Sequence, residues 1–168
     1  MSSVDFIKSI AKFTRVLRER ALQRLQDNGC TDLSYRPATG MSSIGWLLVH
    51  QAVVYDFVLN ILIKGTDLKY PELFDMYGGS HNDQGDWLGT SLALEAYYDS
   101  AEGDFLFWAD NTSEEEMYRR LDESCPSGYH RNMRVIDVIS DMFAHLNHHN
   151  GHLGAINGDW CIQKGKST

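Results

Sequence analysis

Cysteine is scarce and shows no paired pattern. The 168-residue chain has three cysteines, Cys30, Cys125 and Cys161, which are far apart in sequence and form no C-x-x-C motif. An odd number of widely spaced cysteines argues against a disulfide framework and is typical of a reducing compartment. We therefore expect a cytoplasmic protein whose thiols are neither metal ligands nor nucleophiles.

An excess of positive charge is also lacking. The chain carries 15 lysines and arginines against 23 aspartates and glutamates, which gives a formal net charge of −8. A balance of this sign argues against general binding to nucleic-acid phosphates. The most basic segment, residues 15–24, interleaves its arginines with leucines, and we expect it to form a solvated helix face.

No segment has the uninterrupted apolar run of a membrane span or a secretion signal. The most apolar stretch, residues 44–63, is interrupted by His50, Gln51 and Asp56, so we expect a buried helix of a soluble protein. Residues 1–13 show the pattern of an amphipathic helix, and we predict no signal peptide.

The sequence also lacks internal repeats, low-complexity tracts and the alternating apolar pattern of β-strands. Its apolar residues recur with helical periodicity instead. The pattern predicts an all-α fold, a four-helix bundle with short additional helices in the connections, as one domain over residues 1–168. The four long helices are expected over residues 5–28, 43–64, 91–111 and 133–158, and short ones within 68–77 and 114–121.

Capping residues set these expected boundaries. Asn28-Gly29 provides a C-terminal stop, and Ser42 or Ser43, Ser113 and Asn132 are candidate N-caps. The glycine-rich segment 65–90 between two long helices is a candidate roof for a pocket, since long loops in compact domains are often functional.

Histidines cluster in the last helix. Four of the seven, His145, His148, His149 and His152, fall within residues 144–156, which read AHLNHHNGHLGAI. At about 100° per residue, His145 and His149 lie one turn apart on one face, and His148 can pair with His152 by the same spacing. Apolar neighbours along the stripe indicate that this face points inward.

A buried imidazole needs a partner for each ring nitrogen, and a metal ion provides one. Hydrogen-bonded core histidines and an exposed histidine-rich face are the alternatives. The H-E-x-x-H zinc-protease motif is absent, since Leu146 follows His145, and no E-x-x-H of a di-iron bundle lies nearby. His50, in an otherwise apolar helix, is a plausible third ligand.

Two motifs combine these observations. A Ser-Ile-x-Trp-x-x-x-His pattern is formed by Ser43, Ile44, Trp46 and His50, and a His-x-x-x-His-x-Gly-x-Leu pattern by His145, His149, Gly151 and Leu153. With the helix order, the chain length and the Tyr35–Pro37 loop, they resemble the DinB/YfiT-like family of bacterial four-helix-bundle proteins.

The resemblance implies a divalent metal ion, commonly nickel or zinc, held by His50, His145 and His149 with open positions for water or substrate. It thereby favours the pair His145 and His149 over His148 and His152, and leaves His148 peripheral. The family often has glutamine at the position of His152. His152 is therefore a candidate acid or base, a partner of a ligand, or a surface residue.

The bundle is similar to metal-dependent thiol transferases and isomerases that use low-molecular-weight thiols in detoxification. In this interpretation Trp46, Tyr55 and Trp108 line the substrate pocket, although aromatic residues at helical spacing are also typical of a core. Asp141, one turn before His145, is a candidate hydrogen-bond partner of a ligand imidazole.

Two alternatives to thiol transfer stay open at this point. Metal-assisted hydrolysis is a variant of the enzymatic hypothesis, and a non-enzymatic, stress-related metal-binding or interaction module is the second class of function. The small residues Gly151, Gly154 and Gly158 permit close helix contact, and the family resemblance favours a homodimer.

Overall fold

The computed structural model describes residues 2–38, 41–79, 86–87 and 89–165. Within these residues the secondary structure is helical, and the one backbone pairing of β type is an isolated bridge between Arg120 and Arg134. The helices are α1 (Ser3–Asp27), α2 (Ile44–Asp56), α3 (Pro71–Tyr77), α4 (Ser91–Asn111), α5 (Glu114–Tyr118) and α6 (Val135–Gln163). The predicted all-α bundle is confirmed, with α1, α2, α4 and α6 as its long helices and α3 and α5 in the connections.

Most helix ends lie where their capping residues predict. The Ser43 hydroxyl accepts a hydrogen bond from the Trp46 amide at the start of α2, and Ser113 caps α5 in the same way. Gly29 follows α1 with φ = 71°, a left-handed conformation that favours glycine. Side-chain caps thus satisfy the first free amides of these helices.

The start of α6 differs from its prediction. Arg134, not Asn132, is the N-cap, and the helix runs to Gln163 rather than to residue 158. Asn132 has φ = 62° instead, because its amide donates to the Leu121 carbonyl and so pairs this loop with the segment after α5. Asparagine is one of the few residues other than glycine that tolerate this conformation.

The second long helix changes its winding halfway. After Asp56 it continues without a break as a π-helical segment, Phe57–Ile63. The buried Asp56 carboxylate accepts hydrogen bonds from the amides of Lys69, at 3.0 Å, and Tyr70, at 2.9 Å. This carboxylate therefore holds the start of α3 against the end of α2.

The basic segment of α1 is not the fully solvated face predicted for it. Arg18 is buried, with its guanidinium 3.8 Å from the centre of the Tyr98 ring. Arg15 donates from Nε to the buried Glu102 carboxylate at 2.6 Å. Tyr98 and Glu102 both lie on α4, so the two arginines join α1 to α4. Stacking on an aromatic ring and pairing with a carboxylate are favourable contacts for a guanidinium that has lost part of its hydration.

Helix Ile44–Ile63 is long and apolar enough, by length and composition alone, to cross a membrane. In the bundle, 78% of its most apolar window is buried by protein. This is the pattern of a core helix, as its interrupting polar residues predict.

The core consists of two apolar clusters that meet at the level of the histidines. Because α2 and α6 run in opposite directions, Leu47 lies in one cluster with Leu153, and Tyr55 lies in the other with Phe143. Phe105 packs on both Tyr55 and Phe143 in that second cluster. The buried polar residues His50 and Gln51 on α2, and His149 and Asn150 on α6, lie between the residues that belong to the two clusters.

Candidate metal centre

Three imidazoles converge between α2 and α6. His145 Nε2 lies 3.0 Å from His50 Nε2 and 3.0 Å from His149 Nε2. The candidate ligand atoms of the three residues all lie within 4.8 Å of one another. His50 and His149 are buried and His145 is exposed, so the group sits at a boundary between core and solvent.

Helix geometry explains why these three side chains meet. His145 and His149 are one turn apart on α6, so both project from the same face. His50 lies on the facing side of α2, at the level where the two apolar clusters join. The structure thus brings together the pair that the family resemblance favours and the third ligand expected from α2.

His50 is oriented by the backbone of α3. Its Nδ1 lies 2.5 Å from the carbonyl oxygen of Tyr77, the last residue of α3. A carbonyl can only accept, so Nδ1 carries the proton and Nε2 presents a lone pair to the other histidines. The Trp46 ring stacks on the His50 ring, with the two centroids 4.5 Å apart and an interplanar angle of 15°.

Hydrogen bonding among the three rings is incomplete. Since His50 Nε2 has no proton, the proton for its contact with His145 must come from His145, and that nitrogen cannot then accept from His149. Only one of the two 3.0 Å contacts can therefore be a hydrogen bond between neutral rings. His149 Nδ1 is also buried without a hydrogen-bond partner among the described residues.

Lowered pKa values keep all three imidazoles neutral near pH 7, although His145 is partly open to solvent. Loss of hydration is the main cause that lowers the pKa of His50 to about 4 and that of His149 to about 2, with repulsion from neighbouring histidines adding to it. The pKa of His145 is lowered by the same cause. Neutral imidazole is the form that ligates metal ions.

The donor set fits a divalent cation. Two nitrogen ligands at about 2.1 Å from one ion and about 90–110° apart are separated by about 3.0–3.4 Å. The two 3.0 Å spacings lie at the short end of this range. A cation would accept all three Nε2 lone pairs, which the rings cannot satisfy among themselves.

The three histidines form part of the wall of a cavity of about 710 Å³. This volume is in the range of small-molecule sites. All six histidines that the structure describes line it: His50, His130, His145, His148, His149 and His152. Asp141 is the one carboxylate among the described lining residues, which include no lysine or arginine.

Asp141 does not hold a ligand imidazole, as its spacing suggested, but faces a different histidine. His130 Nε2 lies 3.4 Å from Asp141 Oδ2, and His130 Nδ1 lies 2.7 Å from the Ser127 hydroxyl. Since the carboxylate only accepts, Nε2 carries the proton and the serine hydroxyl donates to Nδ1. His130 and Ser127 were missed in the sequence, because the loop that carries them has no periodicity connecting it with α6.

The aromatic residues expected in the pocket separate into two groups. Trp46 lines the cavity, whereas Tyr55 is fully buried in the core and Trp108 packs against Phe105. The Tyr55 hydroxyl has a polar partner there, the Glu102 carboxylate at 3.4 Å. Both rings pack on the core, the alternative considered for them, with Tyr55 fully buried and Trp108 partly buried, and neither belongs to the cavity wall.

The other histidines of α6 line the cavity beside the three-histidine group. His148 and His152 are exposed, and their ring centroids are 4.2 Å apart. Part of the expected roof is also present, since Gly78 and Gly79 belong to the cavity wall. Residues 80–85 and 88 of that roof lie outside the described residues.

Two buried amides next to the histidines connect α2 to α6. The Gln51 side chain donates to Asn150 Oδ1 at 3.1 Å, and Asn150 donates to the Thr14 carbonyl on α1 at 3.3 Å. Each amide directly follows a histidine of the group in sequence. The signal for Gln51 in the sequence is a polar residue within an otherwise apolar helix.

The cysteines take no part in the cavity wall. Cys30, Cys125 and Cys161 are free and buried. Burial is the main cause that raises the pKa of the Cys30 thiol to about 11, so this thiol is protonated near neutral pH.

Comparison with known families gives a match over most of the chain. The sequence profile of the DinB superfamily matches residues 14–153, which include all three histidines of the group. A comparison with curated proteins finds no match to the chain.

Proposed function

Because the chain belongs to the DinB superfamily, we propose that it is a metal-dependent enzyme that transfers a low-molecular-weight thiol to an electrophile. His50, His145 and His149 hold a divalent cation in this proposal, with nickel or zinc favoured because imidazole nitrogen suits both. The observation that carries it is the convergence of three Nε2 atoms at the wall of a 710 Å³ cavity.

The bound cation would supply a positive charge that favours the thiolate over the thiol. Neutral histidines leave this charge uncompensated, because none of the three brings a negative charge to the site. Asp141 and His152 both line the cavity, and either side chain can accept the thiol proton. The sulfur then forms a bond to the electrophilic carbon of the second substrate, and the leaving group departs with its electron pair.

The remaining lining suits a small, partly apolar electrophile. Leu47, Phe57 and Met142 contribute apolar surface to the cavity, and Trp46 adds an aromatic face beside His50. Apolar walls limit the water that competes with the thiolate for the electrophile.

Metal-assisted hydrolysis is the second candidate, and Asp141 favours it. No carboxylate stands out as a general base in the sequence, yet this one lies in the cavity wall with His130 beside it. The same carboxylate that accepts a proton from a thiol can accept one from water.

Metal content after purification tests the common part of both candidates. Tag-free protein supplemented with nickel or zinc is expected to retain about one tightly held ion per chain. His50→Gln and His149→Gln variants are expected to lose it, because two imidazoles alone hold such ions far more weakly. Full occupancy in both variants would refute the ligand assignment.

Thiol addition separates the two reactions. In cobalt-substituted protein, a thiol that binds as thiolate is expected to change the visible absorption spectrum, and Asp141→Asn is expected to weaken that change at neutral pH. A spectrum that no low-molecular-weight thiol changes, together with ester or amide cleavage by the same preparation, would favour the hydrolase.

A further inference from the structure

The exposed histidine pair of α6, His148 and His152 (the outer pair), repeats the ring spacing of the inner pair, His145 and His149. His145 and His149 have ring centroids 4.4 Å apart, and His148 and His152 have ring centroids 4.2 Å apart. Both pairs have the i, i+4 spacing that places two imidazoles over one turn of helix. Two rings this close on adjacent turns can direct a nitrogen each to one ion.

The outer pair is distinct from the inner group. His149 directs Nε2 toward His145, and its ring centroid is 5.6 Å from that of His148 and 5.8 Å from that of His152. Both separations are larger than the 4.2 Å within the outer pair. An offset of three residues along α6 shifts the outer pair by about 4.5 Å along the axis and about 60° around it.

The surroundings of the outer pair suit a cation. Both rings are exposed and both line the cavity, so an ion can reach them from solvent. Among the described lining residues, Asp141 is the one charged side chain, and it is negative. A net charge of −8 on the chain further favours cations at this surface.

We propose that His148 and His152 form a second, weaker divalent-cation site at the wall of the same cavity. With two protein ligands instead of three, and water in the remaining positions, this site binds less tightly than the inner one. The proposal concerns these two residues and is independent of the reaction that the inner site supports.

Zinc titration of metal-free, tag-free protein tests the proposal. Calorimetry and native mass spectrometry are expected to show two zinc ions per chain, one tight and one at least about tenfold weaker. A His148→Ala/His152→Ala variant is expected to bind one ion with the tight affinity unchanged, because both side chains are exposed and alanine favours the helix. A His50→Gln variant is expected to retain the weaker ion alone.

Two outcomes would overturn the second site. A single zinc ion in the unaltered chain would refute it while leaving the inner site and the proposed function in place. A weak ion that persists in the His148→Ala/His152→Ala variant would show adventitious binding at surface carboxylates. Conversely, a weak ion without a tight one in the unaltered chain would contradict the proposed function and leave the second site standing.

Discussion

At the residue scale, Asn150 holds the two ligand-bearing helices in register. Its amide accepts from Gln51 on α2 and donates to the Thr14 carbonyl on α1, and it directly follows His149. The position of His149 relative to His50 therefore depends on a side chain that contacts neither ring nitrogen. Buried hydrogen bonds of this kind favour the arrangement that makes them, because losing one leaves a buried amide N–H group without an acceptor.

Asn150→Ala is expected to lower the free energy of unfolding by about 1–3 kcal/mol, since it leaves the buried Gln51 amide without its partner. It is also expected to weaken metal binding several-fold, because α2 and α6 lose the bond that aligns their histidines. Asn157→Ala is the matched control, as Asn157 accepts a hydrogen bond from Asn28 at 3.0 Å on the same helix but away from the cavity. Chemical denaturation and zinc calorimetry of both variants check this, and equal zinc affinities would contradict it.

Single residues differ in how well the sequence predicts their place. Helical spacing pairs His145 with His149 once α6 is recognised, because i and i+4 share a face, but it pairs His148 with His152 equally well, and the family resemblance is what favours the first pair. Asp141 fits the same periodicity, yet its partner is His130, from a loop whose path depends on tertiary contacts. Tyr55 and Trp108 show what helical spacing does not predict. It places a ring on one face of a helix, but it does not distinguish a face that contacts the core from one that lines a cavity.

At the element scale, three glycines of α6 have open space beside them in the part of the chain that the structure describes. A side-chain carbon added at Gly151, Gly154 or Gly158 would meet no other atom within 4 Å. The close helix contact that these glycines permit is therefore not used by the described part of this bundle. Homodimerisation through this face stays a prediction.

Gly154→Ala gives that prediction a direct test. In an isolated chain the substitution is expected to raise the free energy of unfolding by about 0.5–1 kcal/mol, because alanine favours a helix interior over glycine. Gly103→Ala on α4 is the matched control, since that glycine is also helical, exposed and open to an added carbon. Equal stabilisation of both variants in urea denaturation is the result expected of a chain that does not dimerise through α6, and it would contradict the homodimer. Stabilisation by Gly103→Ala combined with destabilisation by Gly154→Ala would show that a second copy packs on α6.

The π-helical segment is the element that sequence periodicity could not predict. Its residues are as apolar as those of α2, so the pattern indicates one helix to residue 64. The wider winding places Phe57 and Val58 in the cavity wall, and the Asp56 carboxylate fixes the chain that follows. Such segments are frequent at functional sites, but nothing in a single apolar run separates 3.6 from a larger number of residues per turn.

At the scale of the whole molecule, the inner site joins helices from both halves of the chain. His50 lies on α2 and the other two histidines lie on α6, so an ion bound by all three cross-links the bundle. Binding to the folded state alone stabilises that state by mass action.

Zinc at about 100 times its dissociation constant is therefore expected to add about 2.7 kcal/mol to the free energy of unfolding. For a chain of this size that corresponds to a rise in Tm of about 5–10 °C. Differential scanning calorimetry with zinc and with a chelator checks the expectation, and His50→Gln should remove most of the rise. A Tm that is equal in zinc and chelator would contradict a cross-linking ion.

The bundle itself was predictable because its signals are redundant. Capping chemistry and the change in apolar pattern agree at the end of α1, where Gly29 follows the helix, and at the start of α2, where Ser43 is the N-cap. The start of α6 was not predictable, since Asn132 has the chemistry of a cap but is used for a left-handed turn. Local sequence cannot separate these two uses when a pairing with the distant Leu121 decides between them.

The hydrogen bond from His50 to the Tyr77 carbonyl has a consequence for how this site tolerates mutation. Every residue type supplies a backbone carbonyl, so no substitution at position 77 removes the acceptor, and an alanine scan would pass over it. The hydrogen bond requires that the Tyr77 carbonyl lies in the right position. That position depends on Asp56, which holds the start of α3, and on the length of the chain between α2 and α3. Insertions and deletions in that connection, rather than point substitutions, are the changes to which the orientation of His50 is vulnerable.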